Sequence, residues 1–191
     1  MNSASINPVL HWFKELITSP LTLRRARGKV QLFPRRAKPK KWSANQKENR
    51  NKFRLASEYA ERVIANDAIK QLYAQRINRR KFSAYMVAFT DFLTPPRIDE
   101  IRLDFYRGRV EDIITIHAHD DFEVTKVWVT ITRADGALIE EGDAIAEYDR
   151  APRWHYSAQV ANPRPGGCVV RATAYDRPGN TGMKEVRLMD W

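Results

Sequence analysis

At Pro95-Pro96 the spacing of apolar residues changes. Before that point they recur every three or four residues; after it they alternate. A period near 3.6 buries one stripe of a helix, and a period of 2 buries one face of a strand. No single element satisfies both. The chain must therefore build a helical part and a β part that meet near residue 96. The two prolines suit the joint, because each lacks a backbone donor and disfavours helix at the residue before it.

Ser43-Ala44-Asn45-Gln46 has capping-box spacing, so a helix should begin there. Phe53, Ala56, Ala60 and Val63 form its apolar stripe, widened by Tyr59 and Ile64. Asn66-Asp67 breaks this helix and can cap a second, with Ile69, Leu72, Tyr73 and Ile77 on one face. Asn78 to Lys81 is a polar connector. A third helix carries Phe82, Tyr85, Met86, Phe89 and Leu93, and Thr94-Pro95-Pro96 ends it. About 50 residues of short helix bury too little surface to stand alone. They are expected to pack on a neighbour or on the β part. Their aromatic residues exceed what so small a core needs, which suggests an exposed patch beside the packed one.

Beyond Pro96 the inward positions read Ile101, Leu103, Phe105; Ile114, Ile116, Ala118; and Val127, Val129, Ile131. Leu138-Ile139 and Ala144 to Ala146 are two short strands after the Asp135-Gly136 turn. Trp154, Tyr156, Ala158 and Val160 alternate next, then Cys168, Val170, Ala172 and Ala174, then Val186 and Leu188. Short runs such as these, with a turn every ~8–12 residues, imply a β-sandwich of about seven strands.

Charge is unevenly spread. Residues 1–42 carry ten Lys/Arg and one acid, residues 43–96 ten and five, and residues 97–191 thirteen and seventeen. A basic front and a mildly acidic back point to a polyanion partner, to a basic docking arm, or to one copy's front attracting another's back. Nine of the basic residues lie between Arg24 and Lys41 without an acid: Arg24, Arg25, Arg27, Lys29, Arg35, Arg36, Lys38, Lys40 and Lys41. Pro20, Gly28, Pro34 and Pro39 punctuate that stretch, which should be extended rather than helical. Protein docking is the favoured use. The alternative is non-sequence-specific nucleic-acid binding, with Phe33 and Trp42 available to stack on bases. A helix-turn-helix reading of 67–77 fails for want of the glycine turn.

Ahead of the basic stretch, Leu10, Trp12, Phe13, Leu16 and Ile17 suggest a short amphipathic helix over 1–19. Charged and proline interruptions make that segment unlike a secretion signal, and no apolar run reaches the ~20 residues of a membrane span. The cytoplasm, or a particle assembled there, is the expected location.

Chemistry-bearing motifs are sparse. G-x-S-x-G, P-loop and dinucleotide fingerprints are all missing. Cys168, the lone cysteine, falls on an inward face, where it acts as a small hydrophobe. No enzyme activity and no cofactor are expected. The one cation weighed is Ca²⁺, with Asp120, Asp121 and Asp176 as candidates should they converge at one end of the sandwich. The competing reading gives Asp176 and Asn180 turn hydrogen bonds. His117 and His119 share one face of a strand, where an outward position competes with metal ligation. Trp128 faces opposite to Val127 and Val129, which marks it as a contact residue on the outer face unless the helices cover it.

His119-Asp120-Asp121 before VTKVWVTI, the Ala134-Asp135-Gly136 turn, Trp154-His155-Tyr156 and GGCVVRATAYDRPGNTG carry a resemblance. With them, residues 110–189 resemble bacterial immunoglobulin-like domains, modules of surface and virion proteins. The helical front, through Lys38, Pro39, Trp42, Gln46, Asn49, Arg50, Phe53, Ala56, Tyr59 and Ala60, resembles a small group of uncharacterised bacterial proteins in which such a stretch precedes a sandwich. The resemblances imply an α+β fold in two modules: a small N-terminal helical region, then an all-β immunoglobulin-like sandwich of about seven strands. The expected organisation is an arm over 1–42, a helical module over 43–96 and the sandwich over 97–191. The expected role is structural: an immunoglobulin-like module docked into a larger assembly, such as a virion or injection machine, by self-assembly or a protein partner. Carbohydrate or surface binding by the sandwich loops is a further alternative.

Overall fold

A computed structural model describes residues 21–26, 29–34, 41–147 and 153–189. The chain divides into two compact units, Met1–Lys47 and Glu48–Trp191. In the first, β1 (Leu21–Ala26) and β2 (Lys29–Pro34) pair antiparallel, with Ala26 opposite Lys29 and Leu21 opposite Pro34. The stretch is extended there, as the prolines suggest, and its two strands are also paired.

Three helices follow. α1 (Ala44–Ile64) opens on the capping box, with Ser43 N–H donating to Gln46 Oε1 at 3.0 Å and Gln46 N–H donating to Ser43 Oγ at 3.2 Å. α2 (Asp67–Ala74) starts at Asn66, whose side chain accepts from Ala68 and Ile69 N–H. α3 (Ala84–Leu93) starts at Ser83, which accepts from Met86 N–H. Each cap satisfies a backbone donor that the first helical turn leaves open. Tyr59, Ala60, Val63, Tyr73, Ala84, Val87 and Ala88 make a small core. Phe53, expected on the buried stripe, is 54% exposed, and Phe82 is 72% exposed. Phe53 instead lies against Phe89, ring centroids 5.7 Å apart, and Phe89 stacks on Tyr85.

Among the described residues the β part holds eight strands, against an expectation of about seven: β3 (Arg97–Phe105), β4 (Ile113–His119), β5 (Val124–Thr132), β6 (Leu138–Asp143), β7 (Ile145–Ala146), β8 (Arg153–Ser157), β9 (Val169–Asp176) and β10 (Thr181–Arg187). They form two antiparallel four-stranded sheets, β3-β4-β8-β7 and β10-β9-β5-β6. In chain order this is the immunoglobulin arrangement, with an extra strand beside the second sheet. Ile114, Ile116, Val127, Val129, Ile131, Tyr156, Val170, Ala172 and Ala174 fill the space between the sheets. Cys168 is buried and free, as its inward position required. Two inward expectations fail. Phe105 is 73% exposed because a register shift between Arg102 and Phe105 turns it outward. Val160 is 45% exposed because β8 ends at Ser157, before the alternation reaches it.

Helices and sandwich meet inside the second unit. Phe122, on the β4–β5 turn, belongs to the helical core. At Gly182, on β10, an added Cβ would lie 1.9 Å from the Pro96 carbonyl oxygen. At Gly136 the same atom would meet open space, although φ is +87°. Gly182→Ala should therefore cost about 2 kcal/mol or more by overpacking, and Gly136→Ala only about 1 kcal/mol through backbone strain. Urea unfolding of the two variants measures the difference.

Candidate functional site

Two places concentrate chemistry: the junction between helices and sandwich, and the outer face of the β10-β9-β5-β6 sheet.

At the junction the three helices each send a polar group inward. Tyr59 from α1 and Tyr73 from α2 have hydroxyls 2.7 Å apart. Tyr73 donates to Asp91 Oδ2 of α3 at 2.7 Å, so Tyr59 is the donor to Tyr73. Tyr73 and Asp91 are wholly buried. The sandwich closes the site with two turns. In the first, Asp120 Oδ2 accepts from Phe122 and Glu123 N–H, and Phe122 lays its ring on Tyr73 with centroids 4.4 Å apart. In the second, Asp176 accepts from Gly179 N–H, Asn180 N–H and Asn180 Nδ2. Asn180 Nδ2 also donates to the Phe92 carbonyl at 3.1 Å, tying the sandwich to the end of α3.

The electrostatics follow from burial. Burial pushes the Asp91 carboxyl up to about 7; the Tyr73 hydroxyl works against that, and Asp120 and Asp176 add to the rise. Burial likewise raises the Tyr73 and Tyr59 hydroxyls. It raises Asp176 as well, against the pull of its hydrogen bonds from Asn180 and Gly179.

Of the three expected calcium candidates, Asp120 and Asp176 approach the same site. Asp121 does not join them, because it pairs with Lys81. Asp176 spends both oxygens on its turn, as the competing reading required. Among the described residues, no group of three or more His, Cys, Asp or Glu is arranged to hold a metal ion. Sequence reading missed Asp91 altogether. Its one signal was an acid at 91 between Phe89 and Phe92, on a stretch otherwise patterned for burial.

His119 and His155 are drawn into local pairs on the outer face of the other sheet. His119 bridges Asp99 at 2.5 Å and Arg97 at 2.9 Å, and His155 lies between Thr115 and Glu147. His117 stands opposite Arg153 in register.

On the β10-β9-β5-β6 face, Trp128 is half-buried near the middle of β5, flanked by Asp143 on β6 and Thr173 on β9. Lys126 Nζ sits 4.6 Å from the Trp128 ring centroid and pairs with Asp143 at 2.9 Å. Tyr175 lies opposite Lys126, and Met183, 69% exposed, lies opposite Thr173. The helices pack at the Phe122 and Asn180 turns, at the end of the sandwich. A flat face with Trp, Tyr and Met among paired charges has the composition of a protein-contact surface.

Of the basic candidates, Arg24 and Arg25 lie on β1 and Lys29 on β2, and Lys41 is exposed. Arg27, Arg35, Arg36, Lys38, Lys40 and the amphipathic segment over 1–19 lie outside the described residues. No described helix is long and apolar enough to cross a membrane.

No family model matches this chain, and no curated protein matches it. Among solved structures it is similar to CopC from Methylosinus trichosporium OB3b, at 14% identity and a TM-score of 0.38, over 49% of this chain and 90% of that one. It is also similar to a tetra-tandem repeat from the extending region of a large adhesion protein, at 17% identity and a TM-score of 0.37, over 51% of this chain. This chain spans 24% of that second structure. Neither likeness bears on ligand or activity.

Tyr73→Phe keeps the ring against Phe122 and removes the donor to Asp91. Leaving that buried oxygen unpaired should cost about 1–3 kcal/mol in chemical unfolding. It should also move the Asp91 titration upward, because the hydroxyl favours the ionised form. Carboxyl chemical shifts followed against pH would show the move.

Proposed function

We propose that this protein is a non-enzymatic interaction module. The sandwich is the displayed body, the three helices are its base, and the basic front of the chain docks it onto an acidic protein surface. The nearest such surface is the back half of a second copy, which makes the contact head-to-tail. Head-to-tail contacts build rings or filaments, as a component of a virion or injection machine needs. The charge partition carries this reading: a net of +9 over residues 1–42 against −4 over residues 97–191. The Trp128 face supports it as a second contact, since aromatic residues anchor protein interfaces.

The test is light scattering after size exclusion at ~0.1 M and ~0.5 M salt, where the screening length falls from about 10 Å to well below it. The full chain should form a defined oligomer at low salt and lose it at high salt. Replacing Arg24, Arg25, Lys29, Arg35 and Arg36 by Gln should abolish the oligomer, and so should a chain beginning at Ser43. Trp128→Ala should weaken it while leaving the fold intact. A monomer at both salts that co-elutes with nucleic acid, removable by salt, would replace this reading with phosphate binding through residues 24–41.

A further inference from the structure

Asp91 Oδ1 and Asp120 Oδ1 are both buried, and neither has a hydrogen-bond partner among donors. The two carboxyls lie within hydrogen-bonding reach of each other. Their other oxygens are spoken for: Asp91 Oδ2 by Tyr73, Asp120 Oδ2 by the Phe122 and Glu123 amides. Two ionised carboxylates in that position would repel each other and leave two acceptors facing without a donor. One proton between them removes both defects, because a carboxylic acid donates where a carboxylate only accepts.

Arg76, Arg97, His119 and Arg153 line the cavities on the Asp120 side of the pair; Arg97 and Asp99 engage His119, and Glu147 engages Arg153. Tyr59 on α1 and Tyr73 on α2 supply neutral hydroxyls, and Asp176 at the end of β9 adds negative charge. The Arg177 guanidinium, which interacts electrostatically with the two tyrosines, is held by Glu123 at 2.7 Å. The Lys81 ammonium is held by Asp121.

We infer that Asp91 and Asp120 share a single proton across the helix–sandwich junction, making it a pH-sensitive latch: closed with the proton in place, loosened when it leaves. Asp91 comes from α3 and Asp120 from the β4–β5 turn, so the shared hydrogen bond spans the two modules. Loss of the proton puts a second charge into a buried site, and the strain falls on the contact between α3 and the Phe122 turn rather than on the sandwich core.

The sign follows from the shift of Asp91. Its folded value, about 7, lies above the ordinary 3.8, so the folded state holds a proton that the unfolded state has released. The stabilisation is complete below pH ~4 and is lost as pH rises through 7, by at most about tenfold in the folding equilibrium per pH unit.

Urea unfolding of the full-length protein from pH 4 to 9, beside Asp91→Asn, tests this. The amide reproduces the donated hydrogen bond without a titrating proton. The wild type should lose stability relative to Asp91→Asn through the window from pH 4 to 8, and backbone amides of α3 should exchange faster as pH rises while those of β4 and β9 hold. Parallel pH profiles for the two proteins would overturn the proposal. Should Asp91→Asn fail to fold, the carboxyl chemical shifts of the wild type decide. A carboxyl at this junction still protonated at pH 6 supports the shared proton, and both carboxyls ionised by pH 5 sink it. Stabilisation at pH 8 by millimolar Ca²⁺ or Mg²⁺ would assign the pair to a cation instead.

Discussion

The helices depend on one contact: the Phe122 ring lying on Tyr73. Without it, the fully buried core of α1, α2 and α3 is a few alanines and valines around two tyrosines, with Ile64, Ile69, Tyr85, Phe89 and Phe92 only partly covered, too little to hold three short helices in place. With it, the sandwich supplies an aromatic lid, and the helices become an extension of the β part. The geometry of that lid is set by Asp120, whose carboxylate accepts the Phe122 and Glu123 amides and so fixes the turn that presents the ring. One aspartate thus shapes the turn, orients the ring and faces Asp91.

A second turn does the same work from the other strand pair. Asp176 caps the 176–180 turn, which aims Asn180 at the Phe92 carbonyl. Helix ends expose carbonyls that need donors, and here the donor comes from the neighbouring module. The Arg177 guanidinium rests about 6.0 Å from the Phe122 ring centroid while pairing with Glu123. Both turns therefore contribute to the junction at one end of the sandwich. The flat β10-β9-β5-β6 face lies along the strands instead, and carries Trp128 and Met183.

Local rules made most of this architecture legible. The capping box at Ser43, the cap at Asn66, and the alternation of β4, β5 and β9 are each a short-range pattern with one solution. What stayed illegible was set by long-range geometry. Phe53 obeys the helical period yet stays more than half exposed, its ring against Phe89. Phe105 obeys the strand period until a bulge inverts it. Asp91 had no local meaning at all, since its partners lie on α2 and on a turn nearly thirty residues later. The pairing of β1 with β2 was hidden by punctuation: prolines and basic residues read as an open arm, whereas the two strands pair with each other.

The contrast between Glu140 and Asp91 shows why the junction, and not the core, is the conditional part. Glu140 is also a buried acid, but its Oε2 accepts from Tyr156 Oη and from the Gln159 and Val160 amides. Three donors converge on that one oxygen, while Oε1 is buried without a partner, and the carboxyl ties the 157–160 segment to the sandwich. Asp91 has a single hydroxyl and another acid. A buried carboxyl so poorly supplied is tolerable only while neutral, and a hydrophobic residue of similar size would pack there without that condition. The polar pair makes attachment of the helices answer to proton supply, while the sheets, held by Ile114, Ile116, Val127, Val129 and Ile131, answer to nothing but their own packing.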